Sequence, residues 1–410
     1  MTNRICYLEE GDFAVLTTDG AQIFDREGNI ANREVRVVNV SAVLVDKGEH
    51  RHFMAKEIHE QPAVVGYTLG KYLNADRDAI ADGVYGDLDF SAVPRICIAA
   101  CGTASYAGAV AKYWFEQVAR LPVEIDVASE FRYRQPPMME GGVSIFVSQS
   151  GETADTLAAL RYCKENGQKI VSVVNVPESS IARESDIVVQ TFAGPEIGVA
   201  STKAFTCQLT ALACLAIYAA RQRGTIDAAE EARLVQVLSE APRLLAEAIS
   251  REKDIVPIAQ DLSQARDVLY LGRGSSFPLA MEGALKLKEI SYIHAEGYAS
   301  GELKHGPIAL IDEYTPVVTI APSDALFDKT VSNMQEVMAR GGSVVLITDK
   351  AGYEEAGDVC WRTLKMPDCD AFVAPIVYSV PVQLLAYHAA VAKGTDVDQP
   401  RNLAKSVTVE

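Results

Sequence analysis

Short apolar runs alternating with amphipathic helical patterns constrain this 410-residue chain more than any other feature. Ile96–Ala100 leads into Cys101-Gly102-Thr103, then a helical pattern with Ala107, Val110, Trp114 and Val118 on one face. Val143–Val147 leads into Ser148-Gln149-Ser150-Gly151-Glu152-Thr153 and a helix over Ala154–Glu165, with further runs at Ile170–Val174 and Ile187–Val189. A strand covered on both faces reads as a continuous apolar run, and strands separated by helices pair in parallel. The pattern then recurs. Asp267–Leu271 leads into Gly272-Arg273-Gly274-Ser275-Ser276 and a helix over Met281–Ile290. Val317–Ile320 leads into Ala321-Pro322-Ser323 and a helix over Ala325–Ala339, and Val344–Ile347 closes another step. Thr103 to Ser148 is 45 residues and Ser275 to Ser323 is 48, so the reading is two copies of one α/β unit.

The expected architecture is therefore two doubly wound parallel-sheet domains, at 91–226 and 265–394, joined by a helical connection at 227–264. Residues 1–45 alternate in short runs (Ile5–Leu8, Phe13–Thr17, Gln22–Phe24, Val35–Val40) broken by Gly and Asp, which predicts a few antiparallel strands too few to bury a core alone. A charged helical linker is expected over 46–90, with one helix around Met54–Gln61 and a longer one after it. The helix Val382–Lys393 is capped by Gly394, and a polar tail spans 395–410.

Composition narrows the function. Lys and Arg number 38 against 55 Asp and Glu, a net charge of −17, so the chain lacks the positive stripe of a phosphate-backbone binder, and no nucleic acid is expected as a partner. An anionic ligand would need a locally built site. The eight cysteines form no C-x-x-C pair, which suits reduced thiols and a cytoplasmic address. The apolar stretch Ala204–Tyr218 is interrupted by Thr206, Gln208 and Thr210, so it reads as a core helix rather than a membrane span, and no membrane partner is expected. The six His are scattered without metal-ligand spacing, so neither metal nor cofactor is expected.

Ser148–Thr153 carries the most chemistry. It stands at the carboxyl end of a parallel strand and opens a helix, the edge where open α/β sheets bind ligands. Free N–H groups, the positive helix end and three hydroxyls suit a phosphate. Ser150 acting merely as a helix cap would explain one hydroxyl and not the cluster. No P-loop Lys follows, which disfavours a nucleoside triphosphate. Thr103 lies at the matching edge of the preceding strand. Glu282, Lys286 and Glu289 fall at i, i+4 and i+7 on one helix face; a solvated ion pair is the plain alternative, but the apolar surroundings suit proton transfer between adjacent sugar carbons. His305 sits in a Gly- and Pro-rich loop, Val199-Ala200-Ser201-Thr202-Lys203 is a small-residue turn, and the tail around Lys405 carries apolar residues that solvation alone would not need.

The runs CGTAS at 101–105, SQSGETADT at 148–156, EIGVASTKAFT at 196–206, EGALKLKEISYIHAE at 282–296, GELKHGP at 301–307 and DQPRNLAKSVTVE at 398–410 closely resemble the glucosamine-6-phosphate synthase family. The resemblance spans the chain and implies the isomerase half of that family, with two SIS domains and the last strands of its glutaminase. It implies conversion of fructose 6-phosphate to glucosamine 6-phosphate with ammonia made by the glutaminase. By resemblance, Thr103, Ser148, Gln149, Ser150 and Thr153 hold the sugar phosphate, while Val199, Ser201 and Glu282 contact the sugar. Glu289 shuttles the proton between C1 and C2, assisted by Lys286. His305 opens the ring from the neighbouring subunit of a homodimer, and Lys405 forms a Schiff base at the keto carbon. Two departures stand out. Ala104 occupies a place commonly held by Ser, with Ser105 next; and Met1 is not followed by a nucleophilic Cys, so the chain as given is not expected to hydrolyse glutamine. A deglycase acting on a 6-phosphorylated ketosamine, and a sugar-phosphate sensor, are the alternatives; the sensor has no use for Glu289, His305 and Lys405 together.

Overall fold

The computed structural model describes residues 4–9, 11–37 and 46–408. The chain divides into two compact units, 1–46 and 47–410. In the first, β1 (Arg4–Cys6) pairs antiparallel with β4 (Val35–Val37), and β2 (Phe13–Thr17) with β3 (Gly20–Phe24). The expected strand Val35–Val40 ends beyond the described residues. Arg33 grips Asp12 through Nε (2.9 Å) and Nη2 (2.8 Å), while Phe13, Val15 and Leu16 stay exposed, as expected of strands too few to enclose a core.

The second unit begins with α1 (Phe53–Tyr72). Two helices were expected here, the first around Met54–Gln61, and Pro62 lacks the N–H that would bond the Ile58 carbonyl. One continuous helix forms instead: the Gln61 side chain donates Nε2 to that carbonyl (3.0 Å) and takes the missing donor's place. Next come β5 (Ile96–Ala100), α2 (Gly102–Gln117), β6 (Val123–Val127), α3 (Ala128–Arg134), β7 (Val143–Ser148), α4 (Ala154–Glu165), β8 (Lys169–Val174), α5 (Ser180–Glu184) and β9 (Ile187–Gln190). These strands form one parallel sheet in the order β6-β5-β7-β8-β9. The helix α6 (Lys203–Arg223) is buried along most of its length, as its apolar pattern requires. The connection comprises α7 (Ala228–Ser239), α8 (Ala241–Ser250) and α9 (Glu252–Leu262).

The repeat follows: β10 (Asp267–Gly272), α10 (Ser276–Ser291), β11 (His294–Ala299), β12 (Val317–Ile320), α11 (Phe327–Met338), β13 (Val344–Thr348), α12 (Lys350–Ala356) and β14 (Arg362–Lys365). Its parallel order, β11-β10-β12-β13-β14, duplicates the first sheet position by position. The short α13 (Ala374–Val377) and the buried α14 (Ser379–Lys393) complete the fold. The helix expected from Met281 starts five residues earlier, since Pro278 falls in its first turn, where no N–H partner is needed. His305, expected in a loop, ends a 3-10 turn over Ser300–His305.

Close packing of α10 depends on Gly283, where a Cβ would lie 2.7 Å from the Tyr270 ring and 3.1 Å from Val382. Gly283→Ala is therefore expected to destabilise the chain by about 1–3 kcal/mol, read as a lower denaturant midpoint. An unchanged midpoint would show that α10 has room to spare.

Candidate active site

A cavity of about 270 Å³ opens at the carboxyl edge of the first sheet, a size suited to one small polar molecule. The sheet supplies Gly102, Thr103 and Ala104 after β5 and Ser148, Gln149, Ser150 and Thr153 after β7. Val199, Ser201 and Gln208 line another wall, Lys286 and Glu289 project from α10, and Leu403–Val407 of the tail close over the top. Ten of the twelve residues singled out in the sequence meet here.

The Ser148–Thr153 loop is folded by its own hydroxyls. Ser148 Oγ accepts from Gly151 N (3.0 Å) and lies 3.0 Å from Thr153 Oγ1; Ser150 Oγ accepts from Glu152 N (3.2 Å). Gly151 has φ +66°, and a Cβ there would sit 1.9 Å from Ser179 Oγ, so the loop needs glycine on two counts. Thr153, rather than Ser150, occupies the position before α4, and it makes no side-chain cap. The tail reaches this edge too. Ser406 Oγ meets Ser150 Oγ at 3.0 Å, and the Val407 carbonyl accepts from Ala154 N (3.1 Å), covering one free N–H of the helix end. Ser105 cannot replace the hydroxyl missing at Ala104, because its Oγ turns back to the Gly102 carbonyl (2.7 Å).

Two residues stand apart. Glu282 is fully buried and has no surface in the cavity; it accepts from Thr103 Oγ1 (3.3 Å) and lies 3.6 Å from Lys286 Nζ. It stands behind Thr103 and Lys286, and its contact with the sugar stays an expectation. Burial pushes its carboxyl up to about 8 against the pull of Lys286. Burial also opposes the Lys286 ammonium, but Glu282 and Glu289 outweigh it and hold that pKa above its ordinary value. Lys286 donates to Glu289 Oε2 at 2.6 Å, which aims this carboxylate into the cavity. His305 is exposed and does not line the cavity of its own chain.

The structure adds residues that the sequence reading left without a role. Glu196 is buried under the cavity wall and accepts from Lys405 Nζ (2.5 Å), Ser201 Oγ (3.0 Å), Thr202 N (2.9 Å) and Ala204 N (3.0 Å). Burial alone would raise its carboxyl; Lys405 and these donors reverse that and hold it below the usual range. Lys405 also donates to the Gly198 carbonyl (2.8 Å). Glu57 of α1 accepts from Ile197 N (2.5 Å) and Gly198 N (3.2 Å). Asp398 caps α1 through Phe53 N (2.9 Å) and Met54 N (3.0 Å), while its carbonyl accepts from Val199 N (3.0 Å). Gln208 turns a buried, unpartnered Oε1 toward the cavity wall. Glu196 stood within a recognised run; Glu57 lay on a charged helix that no local pattern distinguished.

The second repeat fills its own equivalent edge. Asp349, following β13, accepts from Ser323 N (2.8 Å), Ser323 Oγ (2.7 Å) and Gly352 N (3.0 Å). In the first repeat the matching strand end carries Asn175, which is neutral, so the Ser148–Thr153 edge stays open to an anion. Among the described residues, no group of three or more His, Cys, Asp or Glu is placed to hold a metal ion.

Two parallel sheets of matching order, with a hydroxyl-lined edge in the first, define a SIS-domain protein, and the chain matches the SIS domain family over 89–218 and again over 261–393. Over 409 residues it is 63% identical to the isomerizing glutamine–fructose-6-phosphate aminotransferase of Bradyrhizobium diazoefficiens and 62% identical to that of Brucella abortus. Each match covers 100% of this chain and 67% of the relative. The solved C-terminal domain of glucosamine-fructose-6-phosphate aminotransferase from Francisella tularensis superposes with a TM-score of 0.84 at 45% identity, covering 86% of this chain and 100% of that one. The chain belongs to the glutamine–fructose-6-phosphate aminotransferase family and corresponds to its isomerase portion.

Two outcomes follow from the buried charges. Lys405→Ala strands the Glu196 carboxylate and should release the tail, read as faster tryptic cleavage after the exposed Arg401; unchanged cleavage would mean the tail is held without the pair. Burial, then the Glu196 charge, pushes the Glu57 carboxyl up to about 7. The folded chain thus keeps a proton that the unfolded chain has released, and stability falls as pH rises from the ordinary carboxyl range to about 7, by on the order of 3 kcal/mol. Glu57→Gln should gain stability relative to the parent between pH 5 and pH 8, whereas parallel melting curves would contradict the shift.

Proposed function

We propose that this chain isomerises fructose 6-phosphate and, given ammonia, forms glucosamine 6-phosphate. The supporting observation is the two-ended cavity: hydroxyls and a helix N-terminus at one side, Glu289 held by Lys286 at the other, and Lys405 between them under the tail. The phosphate docks on Thr103 and Ser148–Thr153, where neutral donors bind an anion without a competing carboxylate. Val199 and Ser201 border the sugar. Lys405 attacks the keto carbon, and Glu289 takes a proton from C1 and returns it to C2. Ammonia displaces Lys405 from the keto carbon to leave nitrogen on the product; in the full-length relatives it derives from glutamine.

His305 acts on the ring of a sugar bound in the partner subunit, so the working unit is a homodimer. Its exposed place outside its own cavity agrees with that. The protein is assigned to the cytoplasm, without nucleic-acid or membrane partners. Its two long apolar stretches, Lys203–Arg223 (α6) and Ala374–Lys393 (α13 and α14), are buried over most of their length, so core packing accounts for their composition.

A coupled assay for glucose 6-phosphate tests the reading. Turnover should be lost by at least about 100-fold in Glu289→Gln. Mixing inactive Glu289→Gln and His305→Ala chains under subunit exchange should restore activity, since one site of each mixed dimer has both groups. No turnover by the folded parent would overturn the function, and no restoration would overturn the shared site.

A further inference from the structure

We propose that Glu196 is the acid–base partner of Lys405, taking the proton of its ammonium before attack and returning it to the hydroxyl that leaves as the imine forms. The inference rests on the reading of Lys405 as the amine that attacks the keto carbon, and adds the group that makes this attack feasible. An ammonium has no lone pair. Something beside Lys405 must take its proton, and its neighbours narrow the choice.

Lys405 Nζ has two partners, Glu196 Oε2 at 2.5 Å and the Gly198 carbonyl at 2.8 Å, and of these a carboxylate alone accepts a proton at neutral pH. The other charged groups nearby are committed. Lys203 is paired with Glu60 (2.7 Å), Lys286 with Glu289 and Glu282, and Asp398 caps α1 and meets Lys47 at 3.2 Å. Glu57 holds the Ile197 and Gly198 N–H groups, and its second oxygen is buried without a partner. Two ionised carboxylates against one ammonium would leave a net buried charge, so Glu57 serves as the protonated neighbour, with its carboxyl pushed up to about 7. It positions the loop, and Glu196 does the proton transfer.

The step balances. The Lys405 ammonium gives one proton to the Glu196 carboxylate, leaving a neutral amine and a neutral acid. The nitrogen lone pair forms the bond to the keto carbon, the carbonyl π pair moves to oxygen, and a nitrogen proton follows it there. Glu196 then protonates the resulting hydroxyl, the C–O bond breaks and water departs. What remains is a protonated imine beside a carboxylate, the same charge pair as at the start. The pair therefore never carries a net charge, which suits a carboxylate that is itself fully buried.

The test uses the full chain with Glu196→Gln. Borohydride trapping of fructose 6-phosphate on Lys405, followed by mass spectrometry, reads imine formation; binding of the corresponding hexitol 6-phosphate, which has no carbonyl, reads the site itself. Trapping is expected to slow by about 100-fold or more at pH 7 and to recover progressively as pH rises, with hexitol phosphate affinity within a few-fold of the parent. Parent-like trapping with a parent-like pH profile would overturn the proposal. If Glu196→Gln also loses hexitol phosphate, Glu196→Asp decides: a slower rate with the parent's pH profile supports proton transfer, and a rate that climbs with hydroxide overturns it. Absence of any Lys405 adduct in the parent would instead overturn the reading of Lys405.

Discussion

The ion pair between Lys405 and Glu196 is the interaction on which the arrangement of the site depends. It fastens a terminal segment without regular structure across the mouth of the cavity, where such a segment would ordinarily fray. Asp398 carries the same tie to the N-terminus of α1, and Glu57, one turn further along, ties α1 to the loop carrying Val199. Tail, linker helix and cavity wall are thus held through one set of buried charges. Loss of the Lys405 charge leaves the buried Glu196 carboxylate without its counter-ion, so the tail resists opening.

The duplicated fold is used unequally. Both sheets present the same edge in the same strand order, yet the first carries the neutral Asn175 where the second carries Asp349 and turns it onto Ser323. The second repeat contributes through α10 instead, whose Glu282, Lys286 and Glu289 reach toward the first repeat's cavity. On the proposed function, one copy offers the anion site and the other the proton-transfer groups, at opposite sides of a small space. Gly283 permits this by letting α10 lie directly on Tyr270.

The architecture was legible in the sequence because buried parallel strands leave a clear mark: Ile96–Ala100 and Val344–Ile347 are continuous apolar runs, and Val143–Val147 is broken only by Ser144. The edge strands β6, β11 and β14 escaped notice, since Val123–Val127 alternates, His294–Ala299 contains a glycine and Arg362–Lys365 is half charged. The expected division after Gln61 is absent because the Gln61 side chain takes the place of the N–H that Pro62 lacks, a compensation invisible in propensity alone. Most of the site could be read from motifs at strand ends. Glu57 and Glu196 could not be given roles, because their partners are distant in sequence: Glu196 meets Lys405 across 209 residues and Glu57 meets Ile197 across 140. The depth of Glu282 could not be read either: helical spacing gives the face it shares with Lys286 and Glu289 but not its full burial.

The structure of this chain bound to a hexitol 6-phosphate tests the central claim most directly. The account expects the phosphate within hydrogen-bonding distance of the Ser148–Thr153 hydroxyls and amides, and the Glu289 carboxylate beside the first two carbons. A phosphate seated elsewhere, or Glu289 turned away from those carbons, would contradict it.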